Sequence, residues 1–284
     1  MNKIKKGDIV GRKSYGKDII FTVTKVIYIN NKEIAILNGL IERIKADSEV
    51  SDLELIEKQK VKEIHEILND KINKKIIISK EEINNLKNKV GLSTRNIITK
   101  EKIVSGKILH LDGDRKYSEK SYRYYKKVGL NAIVKNIEEY RQPKVVYRIL
   151  EYYNPDILVI TGHDGMIKKG TKYNDIYNYK NSKYFIQTVQ EARRFERDYN
   201  KNLVIFAGAC QSYYEAIISA GANFASSPAR ILIDFLDPLL VAQKVALTEK
   251  YKFITIDDIA YELRDGKDGI SGIGANGKLT KKHL

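Results

Sequence analysis

The chain has 284 residues, of which 43% are hydrophobic and 31% are charged, a composition typical of a soluble globular protein. It holds one cysteine, which excludes an internal disulfide, and no apolar run approaches the roughly 18 residues that span a bilayer. The basic N-terminal residues lack the apolar segment of a signal peptide, so we expect a cytoplasmic protein with no membrane contact. The net charge of +15 fits either an anionic partner such as nucleic acid or a general enrichment in lysine, isoleucine and asparagine.

Short strands and tight turns fill residues 1–47. The pattern predicts three strands, at 8–10, 19–29 and 33–37, of which the last two are joined by an Asn-Asn turn. A small SH3-like or KOW-like β-barrel is the expected fold of this module. Such barrels bind RNA or proteins, and they also serve only as docking elements.

Residues 48–100 are expected to form a helical connector. Apolar residues at helical spacing indicate a first helix that begins at Ser51 or Asp52. Ser79, followed three residues later by Glu82, has the pattern of a capping box and predicts the start of a second helix.

Strands alternate with helices of 10–20 residues from residue 101 to residue 284. This alternation predicts an α/β domain with a parallel sheet and helices on both faces. The continuously apolar segment 157–160 indicates a strand that is buried on both faces. The glycine-rich tail, residues 268–282, is expected to be loose.

Two strand ends of this domain carry reactive side chains. His163 follows one predicted strand in the stretch VITGHDG, and Cys210 follows the next in IFAGAC. Because functional residues gather beyond the carboxyl ends of parallel strands, we expect the imidazole and the thiol to lie close together. An imidazole that takes or balances a thiol proton is what nucleophilic thiol chemistry requires. Taken singly, Cys210 also suits a small apolar core position, and His163 suits a turn.

Glycines surround both residues, with Gly162 and Gly165 near the histidine and Gly208 near the cysteine. The backbone N–H groups of Gly165 and Cys210 are the predicted donors to a developing oxyanion. The same glycines also suit ordinary tight turns between strands and helices.

Four stretches of the sequence resemble the YabG family of sporulation-specific peptidases, within the wider caspase, clostripain and gingipain group. They are GDIVGRKSYGKDIIF, ILHLDGD, VITGHDG and FAGACQSYYEAIISAGANFASSPARI, and the resemblance covers essentially the whole chain. It implies a caspase-like peptidase domain over 101–284, with His163 as general base and acid and Cys210 as nucleophile. It also implies a protease of the mother cell or forming spore that cuts spore coat and germination proteins after basic residues, chiefly arginine.

The chain departs from the wider group at two positions. Caspases and clostripain-like enzymes usually carry glycine directly after the histidine, where this chain has Asp164. Clostripain-like relatives often place an aspartate two residues before the cysteine, where this chain has Gly208.

A preference for arginine requires a carboxylate in the specificity pocket. Because position 208 is glycine, that carboxylate must come from elsewhere, and the candidates are Asp112, Asp114 and Asp234. Asp114 is the favoured candidate, because it lies further past the strand end and can turn back over the pocket. Each of the three also suits an ordinary turn or helix cap. No metal or other cofactor is expected, since the four histidines and the cysteine do not cluster at ligand spacing.

Two other functions compete with the peptidase. A nucleic-acid-binding protein would use the β module and the basic surface, with the GHDG loop holding a phosphate. A thiol-dependent acyltransferase or amidase would use the same histidine and cysteine. The expected partners are protein substrates, and nucleic acid is the less favoured alternative.

Overall fold

The computed structural model of the chain describes residues 3–93, 101–168 and 171–283. The chain divides into two compact units, Met1–Lys74 and Lys75–Leu284. The end of the predicted connector, residues 94–100, lies outside the described residues. Among the residues described, no helix is both long enough and apolar enough to cross a membrane.

The first unit contains a five-stranded antiparallel sheet, in the order β4-β3-β2-β1-β5. Its strands are β1 (Ile9–Arg12), β2 (Ile20–Ile29), β3 (Lys32–Gly39), β4 (Lys45–Glu49) and β5 (Leu53–Leu55). Asn30 and Asn31 join β2 to β3 with φ angles of 48° and 61°. Both angles are left-handed, as a tight hairpin turn requires and as asparagine tolerates. The predicted hairpin is therefore confirmed.

The sheet of the first unit buries an apolar core that includes Val10, Phe21 and Leu37. It extends to Leu55, beyond residue 47, where the sequence placed the end of the module. Closure of this sheet into an SH3-like barrel stays a prediction.

A single helix, α1 (Lys58–Ser93), replaces the two helices predicted for the connector. Ser79 is buried, with its Oγ 3.1 Å from the hydroxyl of Tyr124 and 3.0 Å from Gln243 Nε2, which donates to it. Ser79 thus bonds to tertiary partners rather than capping a helix. The prediction of a break at this residue is wrong for that reason.

The second unit is built on a six-stranded sheet. Its strands are β7 (Ile108–Asp112), β8 (Ala132–Asn136), β9 (Ile157–Thr161), β10 (Val204–Ala207), β11 (Phe224–Ser226) and β13 (Ile270–Gly272). They lie in the order β13-β11-β10-β9-β7-β8, and adjacent strands are parallel except β13, which is antiparallel to β11. Two further sheets each consist of one antiparallel pair of strands. They are β6 (Glu101–Val104) with β15 (Thr280–His283) and β12 (Phe253–Ile254) with β14 (Ala275–Asn276).

Helices cover both faces of this sheet. They are α2 (Arg115–Val128), α3 (Gln142–Tyr153), α4 (Ser182–Asp198), α5 (Tyr214–Ser219), α6 (Asp237–Leu247), α7 (Asp257–Ala260) and α8 (Gly266–Gly269). Residues of α3, α4 and α5 form one apolar core with Leu109 and Leu111 of β7. His110 alternates with these leucines and so points to the other face, where Tyr125 of α2 contacts its ring at 6.0 Å between centroids. All five residues of β9 are buried, as the sequence predicted.

The parallel α/β architecture is confirmed, and its closer likeness to the caspase fold stays a prediction. The glycine-rich tail, by contrast, is ordered into β13, β14 and β15. A Cβ at Gly272 would lie 2.8 Å from Phe224 Cα, and one at Gly277 would lie 2.6 Å from the carbonyl oxygen of Glu249. The prediction of a loose tail is wrong, because these glycines allow close packing of backbone on backbone.

Candidate active site

The carboxyl ends of β9 and β10 carry the two side chains that the sequence analysis singled out. The strands are parallel neighbours in which Ile160 pairs with Ala207. His163 and Cys210 each follow those paired residues by three positions, so both lie beyond the same edge of the sheet. The predicted adjacency of the two strands is confirmed.

A buried carboxylate joins the histidine loop to the cysteine loop. Asp164 Oδ2 accepts a hydrogen bond from Ser212 Oγ at 3.0 Å, and Ser212 Oγ accepts one from the backbone N–H of Ala209 at 2.9 Å. Ser182, at the start of α4, also donates its hydroxyl to Asp164. Burial raises the pKa of Asp164 to about 6, although the hydrogen bonds it accepts lower it. Asp164 is therefore the link between the two loops.

The backbone N–H of Gly165, one of the predicted oxyanion donors, donates to Asp164 Oδ1 at 2.9 Å. A Cβ at Gly165 would lie 3.6 Å from Gln211 Oε1, so this glycine faces the residue that follows Cys210. In this arrangement the N–H supports the joined loops, and its use as an oxyanion donor stays a prediction.

The imidazole of His163 lies between two carboxylates, with 8% of its side chain exposed. Its Nδ1 is 3.8 Å from Glu139 Oε1, and its Nε2 is 3.8 Å from Asp114 Oδ2. The backbone N–H of His163 donates to the same Glu139 oxygen at 2.7 Å, and the His163 carbonyl accepts from Asn181 Nδ2 at 2.7 Å. The ring of Tyr117 meets the imidazole edge-on, with 6.2 Å between centroids. A carboxylate thus lies near each ring nitrogen of His163.

Cys210 is 1% exposed and lies under residues 231–233. Its Sγ accepts from the backbone N–H of Ile233 at 3.4 Å and is 3.9 Å from the Ile233 carbonyl oxygen. The next residue, Gln211, donates its backbone N–H to the carbonyl of Ile231 at 3.2 Å and has a left-handed φ of 57°. Residues 231–233 thus contact Cys210 and Gln211 through their backbone and cover the thiol.

Gly208 has a φ of 114°, a value that side-chain-bearing residues rarely adopt. A Cβ at this position would lie 2.7 Å from the carbonyl oxygen of Ser226. The backbone of β11 therefore leaves no space for an aspartate two residues before Cys210. A carboxylate that receives a basic side chain must come from another segment.

Two of the three candidate carboxylates follow β7. Asp112 is fully buried, and its oxygens accept from Thr161 Oγ1 and from the backbone N–H of Asp114, each at 2.9 Å. Asp114 caps the N-terminus of α2 by accepting from the backbone N–H of Tyr117 at 3.2 Å. Asp112 thus holds the turn after β7, whereas Asp114 faces His163.

The third candidate, Asp234, follows directly after the residue that contacts the thiol. It is 9% exposed, and its Oδ1 accepts from the backbone N–H of Leu236 at 2.9 Å. The backbone N–H of Asp234 donates in turn to Asp237 Oδ2 at 3.3 Å. Burial, together with the charge of Asp234, raises the pKa of Asp237 to about 7. Two neighbouring carboxylates therefore lie beside the segment that covers Cys210.

Sequence reasoning missed Glu139 and Asp237. Glu139 follows β8, whose carboxyl end lies at the same edge of the sheet as those of β7 and β9, so its position after a strand end was the available signal. Asp237 begins α6, and the sequence gives no sign that this helix starts beside Asp234. Within residues 3–93, 101–168 and 171–283, no group of three His, Cys, Asp or Glu residues is placed to hold a metal ion.

Comparison with known proteins matches the chain almost end to end. The family model of the YabG peptidase U57 matches residues 5–283. The sporulation-specific protease YabG of Bacillus subtilis (strain 168) is 36% identical over 277 residues, which cover 96% of this chain and 95% of that protein. No solved structure resembles the chain significantly. The chain therefore belongs to the YabG peptidase U57 family.

Proposed function

We propose that this peptidase is a cysteine endopeptidase of sporulation, with Cys210 as nucleophile and His163 as general base and acid. The observation that carries the proposal is the position of both residues beyond neighbouring strand ends, in loops joined through Asp164 and Ser212. Cys210 is the only cysteine of the chain, so a cysteine mechanism has one possible nucleophile. The sporulation role rests on the name of the Bacillus subtilis relative.

The reaction proceeds through an acyl-enzyme. His163 takes the Cys210 proton, and the thiolate attacks the carbonyl carbon of the scissile bond. The backbone N–H of Cys210 and that of Gly165 stabilise the oxyanion, the latter after release from Asp164. The C–N bond then breaks, and the imidazolium returns its proton to the leaving amine. Water, deprotonated by His163, hydrolyses the thioester and regenerates the thiol.

Specificity for basic residues, chiefly arginine, is assigned to Asp234. It adjoins Ile233, whose backbone contacts the thiol, and it has a second carboxylate, Asp237, beside it. A guanidinium that enters such a site is partly desolvated and needs a paired carboxylate. Asp112 suits this task less well because it is fully buried and holds the turn after β7, and Asp114 suits it less well because it faces His163.

The charges of the N-terminal sheet and of the GHDG loop favour the peptidase over the nucleic-acid-binding alternative. Residues 1–55, through the end of β5, hold ten Lys and Arg against eight Asp and Glu, so most of the basic excess of +15 lies outside this sheet. The GHDG loop is flanked by Glu139 and Asp114, and its own Asp164 is a further carboxylate. A phosphate in this loop would meet negative groups. We therefore propose that the substrates are proteins, among them the spore coat and germination proteins of the mother cell and forming spore.

The full-length protein, incubated with peptides that contain arginine, lysine or neither, tests this function. Mass spectrometry is expected to locate the cuts after arginine, with fewer after lysine, whose point charge cannot make the planar two-bond contact. Protein that carries one carbamidomethyl group after reaction with iodoacetamide, which releases iodide, is expected to cut nothing, because its only thiol is blocked. Cleavage that survives alkylation would contradict the cysteine mechanism. Transfer of the peptide acyl group to an added amine, without hydrolysis, would assign the acyltransferase instead.

A further inference from the structure

The carboxylate of Glu139 occupies a socket made by two glycines of the strand ends. Gly113 follows β7 and Gly162 follows β9, and both strands end at the edge that carries His163. A Cβ on Gly162 would lie 2.7 Å from Glu139 Cγ, and a Cβ on Gly113 would lie 2.7 Å from Glu139 Oε2. Neither glycine has a left-handed φ, so space for Glu139, and not backbone conformation, is what glycine provides here.

Glu139 holds the histidine loop in two ways. Its Oε1 accepts the backbone N–H of His163 at 2.7 Å, a hydrogen bond strengthened by the charge of the acceptor. The same oxygen is 3.8 Å from the imidazole Nδ1, and 12% of the Glu139 side chain is exposed. At this distance and burial, a carboxylate stabilises a protonated imidazole with little screening by solvent.

We propose that Glu139 is the positioning residue of His163, seated by Gly113 and Gly162, and that its charge stabilises the imidazolium that pairs with the Cys210 thiolate. Asp114, on the other ring nitrogen, differs because its position is fixed by its task as the cap of α2. This inference rests on the proposed function in so far as His163 serves catalysis. The placement of the carboxylate itself does not depend on the reaction.

The test compares Glu139→Gln with Glu138→Gln, its exposed neighbour, in the full-length protein. We expect Glu139→Gln to lower kcat/KM for an arginine peptide by about 10- to 100-fold, the usual effect of losing a group that orients a catalytic residue. The high-pH limb of the pH–rate profile is expected to shift down by about one pH unit, since the imidazolium loses a neighbouring negative charge. Glu138→Gln is expected to change neither quantity.

The titration of His163 by NMR provides a readout that needs no peptidase activity, and His163→Ala assigns its signal among the four histidines. The midpoint is expected to fall by about one pH unit in Glu139→Gln and to stay unchanged in Glu138→Gln. An unchanged midpoint in Glu139→Gln would overturn the inference. Absence of peptide cleavage by the unmodified protein would overturn the proposed function and leave this midpoint to decide the role of Glu139.

Gly162→Ala tests the socket separately, because the flexible Glu139 side chain can move away from the added methyl group. It is expected to reproduce the loss seen with Glu139→Gln. In a Glu139→Ala background, the same glycine substitution is expected to cost less than about 2-fold. Equal losses in both backgrounds would show that the glycine serves something other than Glu139.

Discussion

Cys210→Ala and His163→Ala are each expected to reduce the cleavage of arginine peptides by on the order of 10⁵-fold or more, the scale seen when one member of a nucleophile–base unit is removed. The thiol is the only one in the chain, and His163 is the histidine that follows the neighbouring strand. Because the two residues act as a unit, the double variant is expected to be no worse than either single variant.

His65→Ala provides the matched control for these substitutions, since His65 is exposed on α1. Thermal unfolding of each variant separates lost chemistry from lost fold. Both loops remain joined by the hydrogen bonds of Asp164 when Sγ or the imidazole is removed, so the unfolding temperature is expected to change by only a few degrees. Turnover by Cys210→Ala near that of the unmodified protein would contradict the cysteine mechanism.

Asp234→Asn is expected to lower kcat/KM for arginine peptides by on the order of 10²–10⁴-fold, in line with the 3–5 kcal/mol lost when a buried ion pair loses one partner. The alkylation rate of the thiol is expected to stay unchanged, because neither Cys210 nor His163 is altered. Asp268→Asn is the matched control, since Asp268 is exposed on α8. Retention of the full arginine preference in both Asp234→Asn and Asp237→Asn would place the pocket elsewhere.

Substitution of the other two candidate carboxylates is expected to change other properties than the preference for arginine. Asp112→Asn replaces one of two fully buried acceptor oxygens by an NH2 donor, so the loss is expected in the free energy of unfolding, by about 1–3 kcal/mol. Asp114→Asn changes the surroundings of the imidazole, so turnover is expected to fall alike for arginine and lysine peptides. These three patterns distinguish a pocket residue from a structural residue and from one that acts through His163.

Sequence patterns within single segments predicted the features that are determined by nearby residues. The hairpin at Asn30 and Asn31, the fully buried strand β9 and the parallel order of β9 and β10 follow from turn chemistry, apolar continuity and the alternation of strands with helices. The positions of His163 and Cys210 at strand ends followed from the same reasoning.

Features set by contacts between distant segments were not predictable in this way. Ser79 looks like a helix cap until its bonds to Tyr124 and Gln243 are known. The glycines of the tail look flexible until the backbone packed against them is seen. Glu139 reaches His163 from a different strand end, and residues 231–233 cover the thiol from a loop more than 20 positions away. Each of these depends on the arrangement of the whole second unit.

Labelling by a peptidyl electrophile tests the central claim, that His163 activates Cys210 for attack on the bond after a basic residue. The measurement is the intact mass of the full-length protein after reaction with an acyloxymethyl ketone that carries arginine next to the reactive carbon. We expect one addition per chain, mapped to Cys210, and at least a 100-fold slower reaction in His163→Ala or with aspartate in place of arginine. Equal labelling in His163→Ala, or an addition mapped to any residue other than Cys210, would contradict the claim.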